Sequence, residues 1–229
     1  MAMVLLQAMF TVAIEWGEAE TNPVAVVRKP RQGRERAIRV ISPDAVERIR
    51  AAMLRAGDLR SATMVSVLAY AGVRPGEMLA LERSHIGDET ILVEQAAAYG
   101  KLKLQKTGRV YRTVDLLDAL AEDLAEWLKH LPADRRFLFG RDGDALWRTD
   151  DWNNWRKRHF HAVTQALDLG RPRPYDLRHS FASLRIREHG ASIVDLAAQL
   201  GHAPTETLKT YSHVYAEYRG KPPRRPTFS

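Results

Sequence analysis

The sequence predicts a mainly helical α+β fold with a small antiparallel three-stranded sheet on one edge. Two observations carry that prediction. Apolar residues recur at helical spacing through most of the chain, between polar N-caps and glycine stops. Only the stretch 90–116 breaks this rhythm, with short segments rich in Ile, Leu, Val and Tyr. A chain of 229 residues with 45% hydrophobic content can bury a real core, and its length suits one domain or one domain plus a small appendage.

Taken in order, the first segment, MAMVLLQAMFTVAIEW, is the most apolar run of the chain. It lacks a basic n-region and a small-residue cleavage pattern, and it reaches Glu15 too soon to span a bilayer. It reads as a helix that is apolar on nearly every face and therefore needs partners on several sides. Either it is the last helix of a domain whose earlier part is missing from this sequence, or it docks on another chain, or it folds back onto the main domain. The next stretch, 19–37, is charged and proline-bearing and reads as a linker.

The main domain is expected to begin near Ile38. Ser42, Pro43 and Asp44 supply a cap, a first-turn proline and an early negative charge for a helix to about Ala56. A second helix, 59–71, carries Met64, Val67, Leu68 and Ala71 on one face, and Gly72 ends it. Pro75 then restarts the chain as a short helix through Leu81, with Arg74 at the corner and Glu77 three residues on, placed to brace it. Strands are expected at 90–94, 99–105 and 110–116, with Lys106 at a hairpin turn over 106–109. Helices follow at 117–130 and 149–167; in the second, Trp152, Trp155 and Phe160 suit a core, and His159 and His161 point to different faces, a poor metal pair. Helices at 178–190 and 192–200 stop at Gly190 and Gly201, His202 falls in a turn, and Thr205 can cap a third short helix carrying Tyr211.

Composition narrows the partners. The formal charge is +7, with 27 Arg and 8 Lys, which favours a polyanion, and the arginine fork suits phosphate oxygens. With no cysteine, the chain has no disulfide, thiol nucleophile or thiolate metal site, which fits a reducing cytoplasm. No glycine-rich phosphate loop is present.

Arg74 in AGVRPGEMLAL, Lys106 in KTGRVYRTVDL, Arg178 in YDLRHSFAS, His202 in LGH and Tyr211 in TLKTYSHV resemble, in order and separation, the signature series of the tyrosine recombinase (phage integrase) family. The resemblance covers 38–214, and FTVAIEWGEAETNPV is similar to the end of that family's core-binding domain. It implies the last helix of a truncated core-binding domain at 1–18, a linker at 19–37, a catalytic domain at 38–214 and a basic flexible tail at 215–229.

The resemblance also implies site-specific recombination of double-stranded DNA through a 3′-phosphotyrosyl intermediate, with self-assembly to a tetramer on paired sites and no membrane partner. Tyr211 is then the nucleophile, and Arg74 and Arg178 hold the non-bridging oxygens as charge builds on them. Lys106, with Lys103 as second choice, protonates the leaving 5′ oxygen, and His202 hydrogen-bonds the phosphate or assists proton transfer. Neither metal nor ATP is required, because the covalent intermediate stores the bond energy. Tyr215 and Tyr218 are rival nucleophiles, but the nine-residue separation from His202 belongs to Tyr211.

One position departs from the family pattern: Tyr175 stands where His-x-x-Arg is usual. A phenol with a pKa of about 10 donates a hydrogen bond but is a poor base near neutrality. His179 follows Arg178 around the helix by about 100°, which makes it a packing and hydrogen-bonding residue rather than the missing base. Two other readings compete. SIVDLAAQLGHAPTETLKTY also fits a helix-turn-helix, which would make the chain a regulator and Tyr211 an exposed aromatic. A non-catalytic DNA-binding remnant is the other.

Overall fold

The computed structural model describes residues 2–27, 39–103 and 111–219, and it divides the chain into two compact units, Met1–Ala37 and Ile38–Ser229. The first unit holds helix α1 (Ala2–Glu15), with Val4, Leu5 and Met9 exposed. Among the described residues, no helix is long and apolar enough to cross a membrane.

The second unit is built around α3 (Leu59–Tyr70), which packs against α2 (Pro43–Arg55), α5 (Asp118–His130) and α8 (Asp176–Arg187). Small and apolar residues on every side of α3 explain this: residues 61–70 are all buried, not only the face carrying Met64, Val67 and Leu68. Its hydroxyls are satisfied nearby, Thr63 donating to the Leu59 carbonyl at 2.9 Å and Ser61 accepting from the Trp155 indole at 2.8 Å. The Ser42 cap forms as its sequence suggests, accepting from the Ala45 amide.

The β region follows α4 (Pro75–Met78) and, among the described residues, holds four strands in two antiparallel pairs, where three strands were expected. β1 (Thr90–Val93) pairs with β4 (Arg112–Asp115), and β2 (Ala96–Ala98) pairs with β3 (Lys101–Lys103). The tight turn lies at Tyr99-Gly100, both with positive φ (56° and 73°), which suits a two-residue hairpin. The turn expected at 106–109, with Lys106, lies outside the described residues.

The single helix expected at 149–167 is α6 (Thr149–Trp155), a π-helical turn over Arg156–Phe160, and α7 (His161–Ala166). The turn keeps both Trp155 and Phe160 buried, their rings stacked 5.8 Å apart. His159 pairs with Asp58 at 2.6 Å, and no metal-ligand cluster forms among the described residues.

At the C-terminal side, α9 (Ile193–Leu200) is capped by Ser192 and stops at Gly201, which is left-handed (φ 64°). α10 (Pro204–Arg219) opens on Pro204 and not on a Thr205 cap, because a proline fits the first helical position, where the amide needs no partner. It continues through Arg219, past position 214, and buries Thr207, Tyr211 and Val214 along one stripe.

Candidate active site

The site assembles where the α3–α4 corner, β4, the start of α8 and the α9–α10 turn meet, and a carboxylate lies at its centre. Glu77 is 3% exposed, on the first turn of α4. It accepts from the Arg74 amide at 2.7 Å and from the Arg74 guanidinium at 2.9 Å, so one side chain both caps the helix and orients the arginine. Arg112 grips both carboxylate oxygens, at 2.7 and 3.1 Å, and Arg178 stands 4.0 Å away. Burial alone would raise the Glu77 pKa, but the Arg112 hydrogen bonds and charge, with the Arg74 amide, hold it at about 2. Three guanidinium groups around one carboxylate leave the site with excess positive charge.

Arg178 is fully buried on α8. It donates to the Gly72 carbonyl at 2.6 Å, to the Leu200 carbonyl, and to His202 Nε2 at 2.9 Å. Gly72 is left-handed (φ 60°), and a Cβ there would fall 2.2 Å from the Phe181 ring, so glycine is what brings that carbonyl to the arginine. Burial first, then the neighbouring charge of Arg74, lower Arg178 to about 10, so it stays charged at neutral pH.

Arginine can only donate, so His202 Nε2 is the bare nitrogen and Nδ1 carries the hydrogen. Burial and the Arg178 charge lower His202 to about 4, keeping it neutral. Its buried Nδ1–H and the Arg178 Nε–H have no partner among the described residues. Arg112 and Arg74 also tie the site to the α9 end, through the Gln199 carbonyl at 2.7 Å and the Gly201 carbonyl at 3.4 Å.

Tyr211 reaches the same region from α10 and is 1% exposed, which removes the basis for reading it as the exposed aromatic of a helix-turn-helix. Burial raises its phenol pKa, against a lowering by the Arg178 charge. Its hydroxyl lies 2.8 Å from His179 Nδ1, and the Tyr175 ring packs edge-on against that imidazole at 5.4 Å. Tyr215, the nearer rival, donates to the Ala191 carbonyl at 3.1 Å.

Arg74 is hydrogen-bonded to Glu77 and Arg178 to His202, the two pairs meeting where Arg178 stands 4.0 Å from Glu77, and Tyr175, His179 and Tyr211 form a second set beside them. Lys106 lies outside the described residues; Lys103 is exposed, with its ammonium 5.5 Å from the Tyr99 ring centroid. Sequence reasoning missed Arg112. The available signal was strand alternation: Arg112 shares a face with the buried Val114, and an arginine on the inner face of a strand needs a buried anion.

The family model described as the phage integrase family matches residues 39–218. A shufflon-specific DNA recombinase of Escherichia coli is 28% identical over 215 residues, covering 93% of this chain and 50% of that protein. Tyrosine recombinase XerD of Listeria innocua is 24% identical over 217 residues, 91% of this chain and 69% of the relative. XerD of Ralstonia nicotianae is 28% identical over 166 residues, 69% of this chain and 50% of the relative, so the chain spans about half the length of two of these three proteins. Among solved structures, the Tn1549 transposon integrase in complex with a circular intermediate DNA aligns over 95% of this chain and 76% of its own, with a TM-score of 0.74 at 17% identity. A λ integrase dimer bound to a COC′ core site aligns over 99% of this chain and 61% of its own, with a TM-score of 0.66 at 20% identity. The fold described above is the one these integrases share.

Proposed function

The chain belongs to the phage integrase family, and from that premise we propose that it cleaves and rejoins DNA strands by transesterification through Tyr211. The observation that carries this reading is the convergence of Arg74, Arg178, His202 and Tyr211 on one region that holds excess positive charge and two buried donors without a partner among the described residues. A buried donor left without a partner costs about 1–3 kcal/mol, which a phosphodiester oxygen would offset.

In this mechanism the Tyr211 oxygen attacks phosphorus, the bond to the 5′ oxygen breaks, and a 3′-phosphotyrosyl link forms. Arg74 and Arg178 hold the non-bridging oxygens as negative charge develops, and His202 Nδ1–H donates to the same group. Lys106 supplies the leaving-group proton. Attack by a second 5′ hydroxyl reverses these steps and joins the new strand. Glu77 and Arg112 keep the two arginines in place and do not touch the phosphate. The substrate is duplex DNA, the working assembly is a tetramer on paired sites, and the setting is the cytoplasm.

Nicked duplex DNA that loses its 5′ fragment after cleavage traps the adduct. The unaltered chain gives a protein–DNA band resistant to denaturant, and Tyr211→Phe abolishes it. A band that persists in Tyr211→Phe but disappears in Tyr215→Phe or Tyr218→Phe overturns the assignment of the nucleophile.

A further inference from the structure

Tyr175, the N-cap residue in helical conformation, precedes α8 by one position and His179 lies one turn on, so both present to the same side of the helix, and Tyr211 meets the imidazole from α10. The imidazole touches both phenols: its ring centroid is 5.4 Å from that of Tyr175 and 5.8 Å from that of Tyr211. Nδ1 stands 2.8 Å from the Tyr211 hydroxyl, the hydrogen-bond partner the described residues give that oxygen. We propose that His179 is a catalytic residue, the base that takes the Tyr211 proton as the phenol attacks. The proposal rests on the recombinase reading and deepens it.

The chemistry requires such a group. A phenol on a side chain only 1% exposed does not ionise freely at neutral pH, and attack without loss of its proton would leave positive charge on the oxygen. The other groups at hand cannot accept the proton. Arg178 and Arg74 are cations, His202 Nε2 is tied to Arg178, and a Tyr175 phenol is a poor base near neutrality. His179 is also in the right form. Burial lowers its pKa first, Asp176 raises it, and Arg173 and Arg178 lower it again, so with the two phenols as its other neighbours the imidazole is neutral at pH 7.

The step balances with groups already named. The Tyr211 oxygen–phosphorus bond forms while the phosphorus–5′ oxygen bond breaks. The phenol proton moves to His179 Nδ1, and the departing 5′ oxygen takes a proton from the general acid assigned to Lys106. Rejoining runs in reverse: the imidazolium returns its proton to the departing phenolate, and the neutral amine takes the proton of the incoming 5′ hydroxyl. His179 would therefore supply, one helical turn later, the base that Tyr175 cannot be.

The experiment measures the single-turnover rate of adduct formation on the nicked duplex. His179→Gln keeps a side chain able to hold the phenol but removes the base, and slows adduct formation by about 100-fold or more. Difluorotyrosine at position 211, with a more acidic phenol, restores much of that loss in His179→Gln while changing the unaltered enzyme little. A structural role for His179 would not respond to nucleophile acidity. A His179→Gln rate within about threefold of the unaltered chain, or a loss that difluorotyrosine does not relieve, overturns the proposal while the Tyr211 adduct leaves the recombinase reading standing. No adduct from the unaltered chain overturns both. A second measurement needs no DNA: in the 15N-labelled chain, His179 Nδ1 resonates as an unprotonated acceptor and shifts in Tyr211→Phe. A protonated Nδ1 overturns the assignment.

Discussion

Replacing Glu77 by glutamine tests whether one carboxylate organises the site. The substitution keeps the shape and one acceptor oxygen but removes the charge that Arg74, Arg112 and Arg178 share. The Glu77 pKa falls from 4.5 to about 2, despite a burial penalty that acts the other way. At 1.36 kcal/mol per unit this is about 3 kcal/mol of stability at pH 7, and a 3% exposed side chain needs no large discount for solvent screening. Breaking a buried ion pair by removing one partner costs a similar amount, about 3–5 kcal/mol. Because the folded pKa is depressed, this stability is fully present above pH 4.5 and is lost as pH falls toward 2. Urea unfolding followed by tryptophan fluorescence, run on both proteins from pH 7 down to pH 3, reads the difference. The expected gap is about 3 kcal/mol at pH 7, narrowing below pH 4.5. A gap under about 1 kcal/mol at pH 7, or one that does not narrow on acidification, refutes the reasoning.

Other perturbations separate the roles around this centre. Gly72→Ala places a methyl 2.2 Å from the Phe181 ring at a left-handed residue, so thermal unfolding is expected to show a loss of more than about 2 kcal/mol. Lys106→Ala is expected to slow cleavage by about 10²–10⁴, and a substrate whose 5′ oxygen is replaced by sulfur, which leaves without a proton, recovers the rate; recovery in Lys103→Ala instead would move the acid to that residue. Tyr175→Phe removes one hydroxyl and is expected to lower the cleavage rate about fivefold, the worth of a typical hydrogen bond; an unchanged rate refutes a hydrogen-bonding role.

What the sequence made legible was mostly local. Ser42, Ser192 and Gly201 act within a turn of their own positions, so the helix limits they set do not depend on the rest of the fold. The strand region was less legible, because a tyrosine with positive φ at position 99 has no strong signal of its own, and Lys106-Thr107-Gly108-Arg109 presented a stronger turn pattern than Tyr99-Gly100. The surroundings of α3 were partly hidden for a related reason: serine and threonine read as a polar face until their hydroxyls are seen bonded at hand.

Order along the chain identified residue types for the site but not its physical logic. The sequence pattern proposed Arg74 and Arg178 as phosphate ligands, yet two guanidiniums beside a third repel one another unless an anion holds them, and that anion is Glu77, fixed in turn by Arg112 from a strand far along the chain. The same limit applies to His179. Its angular offset from Arg178 on the helix pointed away from the arginine cluster, and the offset is real, but it turns the imidazole toward α10 and the Tyr211 hydroxyl. Helical periodicity says which way a side chain leaves its own helix; only packing says what waits there. On the proposed mechanism the two sets divide the chemistry: the Glu77 cluster would hold positive charge where phosphate oxygens bind, and the Tyr175–His179–Tyr211 set would govern the nucleophile's proton. On this division, Glu77→Gln acts on both stability and cleavage, whereas His179→Gln acts on cleavage with a loss that tracks the acidity of the phenol.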